Sequence, residues 1–394
     1  MSDVKAIVKR YARELGFDLV GVTSAEAFAE DRAIALQRLR AGLMDGLPWY
    51  TEARVRRGAN PQELLPGARS IICLGLNYYQ PDAADEDVAV NGRSPLVGKV
   101  ARYAWGDDYH QVMKARMEAY VGGLSARLDT AISARWYVDD GPMLDRAAAR
   151  RAGVGWFGKN TNILTPSHGS WVFLGQVITD LEMEPDLPLQ KTCGNCVRCI
   201  DACPTGAIVA PYVIENTRCI SYLTIENRGP IPHWLRPQML DWVFGCDICQ
   251  DVCPVNRNAQ PALEPAFQKK SAGAHGRVPL LDLIGLLELS DEEFRSRFRG
   301  SPILRAKRVG LQRNACVALG NLKEPAAVPA LCSALATAEP LVRGHSAWAL
   351  GQIGGIEAKV ALDQALEQEG DPEVVKEITS ALQEIFGSSH REGF

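Results

Sequence analysis

Eight of the chain's eleven cysteines fall between Cys193 and Cys253, and no other feature restricts the fold as tightly. Cys193, Cys196, Cys199 and Cys203, followed by Pro204, read C-x2-C-x2-C-x3-C-P. That is the spacing by which thiolates hold a cubane iron–sulfur cluster. Three sulfurs from one tight loop reach three irons of one cluster, and the fourth, displaced by its proline turn, reaches a neighbouring cluster. A second cluster is therefore required. Cys246, Cys249 and Cys253 with Pro254 repeat the run without its first member, whose place is taken by Val243, and Cys219 is the one remaining cysteine of the region. The spacing predicts one 4Fe–4S cluster on Cys193, Cys196, Cys199 and Cys253, and another on Cys203, Cys219, Cys246 and Cys249.

The competing metal is zinc, since two C-x2-C pairs can make a tetrahedral thiolate site without redox chemistry. Zinc needs neither the interleaved triplet nor prolines after both terminal cysteines. A radical enzyme's C-x3-C-x2-C triplet would require a cysteine where Gly206 stands. Cys73, Cys316 and Cys332 sit in apolar contexts and read as inert core residues.

At 394 residues the chain is too long for one ordinary core, and two to four units are expected. Apolar residues at 46% and charged residues at 23% exclude a disordered or fibrous chain. The N-terminal MSDVKAIVKRYARELG spaces charges through its apolar residues, and the apolar stretch Leu280 to Leu289 is broken by Asp282 and Glu288. Neither spans a bilayer, no secretory signal is apparent, and a cytoplasmic protein with no membrane partner is expected. Clustered thiols in a reducing compartment point to metal rather than disulfides.

The first part alternates helices near Val4–Leu15 and Ala25–Arg40 with strands Leu19–Thr23 and Ser70–Leu76. A helix Tyr109–Leu128, a strand Arg135–Val138, a helix Met143–Ala152 and a strand Trp171–Ile178 follow. This is an α/β pattern ending near Asp186. The cysteine-rich unit runs from Asp186 to Asn258, and Gln260–Pro279, rich in Pro, Gly and Lys, reads as a connector. In the tail, Ala318-Leu319-Gly320 recurs as Ala349-Leu350-Gly351 and weakly as Ala381-Leu382-Gln383, at offsets of 31 and 32. Proline turns at Pro325, Pro340 and Pro372 punctuate it, so stacked helix pairs of HEAT-like form are expected, either as a protective cap or as a binding array.

The net charge of −4 argues against indiscriminate nucleic-acid binding, yet Arg295, Arg297, Arg299, Arg305, Lys307, Arg308 and Arg313 follow one another with no acidic residue between them. That run can face phosphates, or it can be a solvated helix face.

Three patterns mislead. Gly153-x-Gly155-x-x-Gly158 matches a dinucleotide fingerprint and, with Lys159, nearly a phosphate loop. Helix precedes it rather than strand, and Asn160 replaces the magnesium-holding hydroxyl. The glycines make a tight turn or let the backbone approach a flat cofactor. Asp108-x-His110 begins the cobalamin-histidine pattern D-x-H-x-x-G, but Met113 stands at its glycine, so His110 reads as a helix-surface histidine. More informative is the strand end at Asp139 and Asp140, before Gly141-Pro142. Asp140 fits a helix cap, which leaves Asp139 for chemistry. A carboxyl enclosed beside an apolar cofactor would hold its proton at neutral pH and act as a general acid.

Together these segments resemble the epoxyqueuosine reductases through nearly the whole chain. The likeness rests on Arg102-Tyr-Ala-Trp-Gly-Asp-Asp-Tyr-His110, Val138-Asp139, Asp145-Arg146-Ala147, Ala152-Gly-Val-Gly-Trp156, Gly158-Lys159-Asn160, the cysteines and the repeat tail. It implies an α/β cobalamin-binding domain over 1–185, a ferredoxin-like domain with two 4Fe–4S clusters over 186–259, a connector over 260–300, and C-terminal α-helical HEAT-like repeats over 301–394 that bind tRNA. The implied reaction reduces epoxyqueuosine to queuosine at the tRNA wobble position. An external donor feeds the clusters, the clusters feed cobalamin (resting as cob(II)alamin), and Asp139 is the proton donor. Arg57, Arg102, Asp139, Asn160, Ile163, Leu174, Ser221 and Asp247 would contact the corrin. Arg146, Arg295, Arg297, Arg299, Arg305, Lys307 and Arg308 would contact the tRNA, and the enzyme would act as a monomer. The rivals are a reductive dehalogenase acting on small molecules, which usually begins with a twin-arginine leader, and a non-catalytic electron-transfer module.

Overall fold

The computed structural model describes residues 2–81, 96–268 and 279–389, so residues 269–278 of the expected connector lie outside the described residues. Two compact units are present, and elements are numbered along the whole chain. The first holds Met1–Pro81, Gly106–Thr217 and Asp247–Gln268; the second holds Asp82–Trp105, Arg218–Cys246 and Lys269–Phe394.

The first unit is built on an antiparallel sheet in the order β1 (Leu19–Ser24), β2 (Ser70–Asn77), β7 (Val172–Thr179), β4 (Ala134–Tyr137). All eight residues of β2 are buried, which explains its continuous apolar run SIICLGLN without alternation. Each of Ile71, Ile72 and Leu74, fully enclosed, contributes about 1.5–3 kcal/mol of burial. On one face lies α5 (Tyr109–Leu128), spanning the predicted residues, with Met113 and Met117 against Gly175 of β7. A side chain at Gly175 would press on the flexible ends of both methionines, so glycine there leaves them room against the sheet. Strand neighbours alternate faces, so Leu174 and Ile178 pack on the other side, with Ile163 and with Ala147 and Ala148 of α6 (Asp145–Arg151). The helices α2 (Ala29–Arg40), α3 (Glu52–Gly58) and α4 (Pro61–Leu64) complete this layer, while α1 (Ser2–Glu14) packs on α5, where Tyr11 stacks on Tyr120.

The glycine motif lies in a small hairpin of β5 (Trp156–Phe157) and β6 (Ile163–Leu164), entered from α6 through Gly153 at φ +69°. Helix precedes it, as the sequence predicts, and a phosphate loop is not formed. Two single helical turns, α7 (Arg198–Asp201) and α9 (Ile248–Asp251), carry Cys199 and Cys249 and stop before Cys203-Pro204 and Cys253-Pro254. Proline has no amide hydrogen and cannot extend a helix. A second hairpin, β8 (Ile208–Ala210) with β9 (Val213–Ile214), closes the unit.

In the second unit β3 (Val97–Val100) pairs in parallel with β10 (Trp242–Phe244) and antiparallel with β11 (Leu280–Asp282). A short helix α8 (Ile220–Ile225), then α10 (Leu283–Leu287) and α11 (Asp291–Arg297), lead to the array: α12 (Arg308–Leu322), α13 (Val328–Thr337), α14 (Pro340–Ile353), α15 (Ile356–Gln368) and α16 (Pro372–Ser389). The recurring Ala-Leu-Gly has a packing cause. A side chain at Gly320 would strike the Trp348 ring and Ala349, and one at Gly351 would strike Ala381, so the motif brings α12, α14 and α16 into close contact. The apolar partners Leu319 and Leu350 are fully buried. Cys316 lies in α12, where burial pushes its thiol up to about 12. Cys73 in β2 is also fully buried and its thiol is raised, as an inert core cysteine requires, while Cys332 in α13 is only half-buried. Among the described residues no helix is long and apolar enough to cross a membrane.

Candidate functional site

Four cysteines of the first unit come together. Burial raises the Cys199 thiol, and the neighbouring Cys193, Cys253 and Cys196 raise it further. Burial raises Cys253 too, with Cys193 and Cys196 adding to it. Each thiolate penalises the next, the electrostatic situation that bound cations relieve. Among the described residues, however, no three Cys, His, Asp or Glu side chains are grouped tightly enough to hold a single metal ion. Cys193, Cys196 and Cys199 from one loop, joined by Cys253 from the second, are the ligand set that the spacing assigns to the first cubane. Cys203 and Cys249 belong to this unit as well, and Cys203 Sγ lies 3.7 Å from Thr205 Oγ1. Cys219 and Cys246 belong to the second unit.

The β5–β6 hairpin braces both cysteine loops. Lys159 Nζ donates to the Gly194 carbonyl at 2.8 Å, and Asn160 Nδ2 donates to the Cys249 carbonyl at 3.3 Å. The lysine that imitates a phosphate-loop residue thus serves the loop of Cys193 and Cys196. The second loop is fixed from below. Asn256 Oδ1 accepts from the Ser170 amide at 2.7 Å, and Gln250 Nε2 and Asn256 Nδ2 both lie 2.9 Å from Ser170 Oγ.

At the end of β4, Asp139 adopts φ +54°, a left-handed conformation that costs about 1–2 kcal/mol for most residues but which Asp tolerates. Its Oδ2 accepts from Tyr109 Oη at 2.9 Å. Tyr109 in turn stacks on Phe173 with centroids 4.3 Å apart. The loop is held by α3: Arg54 Nη2 donates to the Gly141 carbonyl, and a side chain at Gly58 would overlap the Pro142 carbonyl. Arg57 is exposed on the same helix. Two expectations need correction here. Asp140 is not a helix cap, because α6 begins only at Asp145; its Oδ1 accepts from the Val138 amide at 2.9 Å, and Lys114 pairs with Oδ2. The Asp139 side chain is exposed, whereas the carboxyl withdrawn from water is that of Asp145. Burial, and then the charge of Asp139, hold Asp145 well above the usual carboxylate range.

Asn160 and Ile163 are buried and Leu174 is half-buried, on elements packed around α6. Asp247 is also buried in this unit. Arg102, of the second unit, is buried with its guanidinium 5.3 Å from the Trp105 ring centre, and Ser221 is half-buried on α8. The Asp108-x-His110 pattern proves to be the start of α5: Asp108 caps it by accepting from the His110 amide, and His110 Nδ1 lies 2.8 Å from the same carboxyl.

The basic run divides. Arg308 pairs with Asp291 and Glu339, and Arg305 forms a bidentate pair with Glu226. Arg297 is half-buried over Phe298, and Arg313 is fully buried. Arg295, Arg299 and Lys307 are exposed. In the first unit Arg146 is exposed and reaches Thr161.

The chain is 36% identical to the epoxyqueuosine reductase of Bacillus cereus, over 96% of its own length and 97% of that protein's. It belongs to the epoxyqueuosine reductase family. The family model described as Epoxyqueuosine reductase QueG, DUF1730, matches residues 58–140, the 4Fe-4S double cluster binding domain matches 192–256, and HEAT repeats match 302–383. The fold is that of solved epoxyqueuosine reductases. One, solved with an epoxyqueuosine-modified tyrosine tRNA stem loop, has a TM-score of 0.90 at 33% identity, covering 98% of this chain and 99% of that one. Another, from Bacillus subtilis with its catalytic aspartate loop swung out of the active site, has 0.89 at 32%, over 98% and 99%. No local pattern marks Tyr109 or Lys159, because their contacts, with Asp139 and Gly194, join positions distant in the chain.

Proposed function

We propose that this chain reduces epoxyqueuosine to queuosine at the wobble position of tRNA, using cobalamin reduced through two 4Fe–4S clusters. The observation that carries the reading is family membership across nearly the entire chain, with a fold matching an epoxyqueuosine reductase solved on its tRNA stem loop. The mutual approach of four thiols in the first unit supports the first cluster assignment: Cys193, Cys196, Cys199 and Cys253. Cys203, Cys219, Cys246 and Cys249 are assigned to the second. Residues 1–185 bind cobalamin, 186–259 the clusters, 260–300 connect, and 301–394 bind tRNA.

When bound, cobalamin supplies the low-potential electrons that open the epoxide. The chain's own share is placement and proton control. Arg57, Arg102, Asn160, Ile163, Leu174, Ser221 and Asp247 hold the corrin. Asp139 would deliver one of the two protons with which the epoxide oxygen leaves as water, the second coming from solvent, and Tyr109 would orient that carboxyl. The Bacillus subtilis structure, whose catalytic loop is named for an aspartate, supports an acid carried on a loop such as Asp139-Asp140-Gly141. Exposed Arg146, Arg295, Arg299 and Lys307, with Arg297 and Arg305 beside them in sequence, contact the tRNA backbone, while Arg308 is taken up by Asp291 and Glu339. The protein acts in the cytoplasm as a monomer.

The test is anaerobic purification, optical spectra, and nucleoside analysis of tRNA incubated with the reduced protein. Conversion of epoxyqueuosine to queuosine is expected. Persistence of the epoxide with both cofactor types intact and reduced would remove the reading.

A further inference from the structure

The basic run ends at Arg313, which is fully buried and has no carboxylate within its hydrogen-bond set. A buried cation persists only where its donors are satisfied. All five are: Nε and Nη2 donate to Asn314 Oδ1 at 3.1 and 2.8 Å, Nη1 to the Asn227 and Gly229 carbonyls at 2.9 and 2.8 Å, and Nη2 also to the Leu223 carbonyl at 2.6 Å. Asn314, also fully buried, then uses both amide hydrogens on two separate segments. Its Nδ2 donates to the Thr224 carbonyl at 2.9 Å and to the Val243 carbonyl at 2.8 Å.

Those carbonyls flank two cysteines. Helix α8 starts from Cys219, whose carbonyl accepts from Leu223, and it ends where Arg313 and Asn314 hold Leu223 and Thr224. Strand β10 ends at Phe244, and Gly245 leads directly into Cys246. The Gly245 amide donates to Thr224 Oγ1 at 2.9 Å, and Thr224 Oγ1 donates to the Ile220 carbonyl at 2.7 Å. Gly245 itself has φ +70°, and a side chain there would overlap Ala101. The path from Cys219 to Cys246 is therefore a closed polar frame within the second unit, and its cross-piece is the Asn314 amide from the first helix of the repeat array.

We infer that Asn314, held in place by Arg313, is a positioning residue that fixes the spacing of Cys219 and Cys246, so that the repeat array sets the geometry of the second cluster. This rests on the assignment of those two cysteines as ligands. A repeat array that served only to grip tRNA would have no need of a fully enclosed Arg–Asn pair aimed at the cysteine segments.

The full chain, purified without oxygen, tests it. Asn314→Ala is compared with Leu319→Ala, a buried apolar truncation in the same helix that leaves the frame intact. The readouts are iron content, the electron paramagnetic resonance of the reduced clusters and their midpoint potentials. Asn314→Ala is expected to keep the first cluster while the second is lost, iron falling from about eight to about four per chain, or shows an altered spectrum and potential. Leu319→Ala lowers the melting temperature but keeps both spectra. Wild-type spectra and potentials in Asn314→Ala overturn the inference, as does an equal change in Leu319→Ala. If Asn314→Ala does not fold, Asn314→Asp, which keeps the shape and loses both donors, is read in the same way. Cys219→Ser tests the underlying assignment separately: full iron in that variant removes the ligand reading itself, whatever Asn314 does.

Discussion

Tyr109, the first residue of α5, donates its phenolic hydrogen to Asp139 Oδ2 across 2.9 Å, joining two elements thirty positions apart. The phenol is fixed by its stack on Phe173, so it fixes the carboxyl in turn. Asp139→Asn is expected to retain both cofactor types and lose turnover. Tyr109→Phe removes one hydrogen bond to the Asp139 carboxyl, worth about 0.5–1.5 kcal/mol, and should lower kcat by roughly two- to tenfold. Single-turnover rates with unchanged cofactor spectra check both; full activity in Asp139→Asn would exclude it as the acid.

Lys159 spends its charge on the Gly194 carbonyl inside the loop of Cys193 and Cys196. Lys159→Met keeps most of the side-chain volume and loses the donor. The first cluster should then assemble poorly and bleach faster in air, with iron falling toward about four per chain. Iron assays before and after a timed air exposure give the answer, and wild-type retention would leave the lysine a packing role only.

Asp145 offers a pH signature. Its folded carboxyl is raised by burial and by Asp139, so its contribution to stability is complete below the unfolded carboxylate value, about 3.9, and is lost as pH rises through the raised folded value. Asp145→Asn should be relatively more stable than the parent at neutral and alkaline pH, with the difference vanishing in acid. Melting curves across pH decide it; a constant difference at every pH would mean that the carboxyl ionises normally.

His345 acts in the opposite direction. It is buried in α14, its Nδ1 lies 2.7 Å from the Leu341 carbonyl and its Nε2 accepts from the Ile231 amide at 3.2 Å, which fixes the neutral tautomer. Burial, with Arg236 and Arg313 nearby, holds its pKa well below the ordinary value. The stability it confers is present above about pH 6.5 and is lost as pH falls below that, by up to about 1.4 kcal/mol per pH unit. His345→Gln should flatten that acid limb. Melting temperatures between about pH 7.5 and 5.5 measure it, and an unchanged slope would place the titrating group elsewhere.

The basic residues should separate by salt dependence. Exposed Arg299 and Lys307, each replaced by Gln, should lower the slope of log affinity against log salt by about one where the side chain meets a phosphate. Arg308, tied to Asp291 and Glu339, should instead cost stability of up to about 1 kcal/mol, because its partners are largely exposed. Filter binding of tRNA at several salt concentrations, alongside melting curves, separates the two classes. An unchanged slope in both the Arg299 and the Lys307 variants would move the tRNA contact away from this run.

What the sequence determined by itself was whatever depends on neighbours along the chain. Cysteine spacing with its prolines specified two cubane clusters, hydrophobic period placed α5 and β2 to within a residue, and the Ala-Leu-Gly recurrence announced the repeats whose close approach Gly320 and Gly351 permit. Only the tertiary structure decided which charges stay in water. Arg313 and Arg299 look alike in a basic run, yet backbone carbonyls from residues 223–229 enclose one and leave the other exposed. Asp139 and Asp145 differ in the same way. Burial and hydrogen-bond partners are properties of segments far apart in sequence, and the free energy of a charge is set by them rather than by its neighbours in the chain.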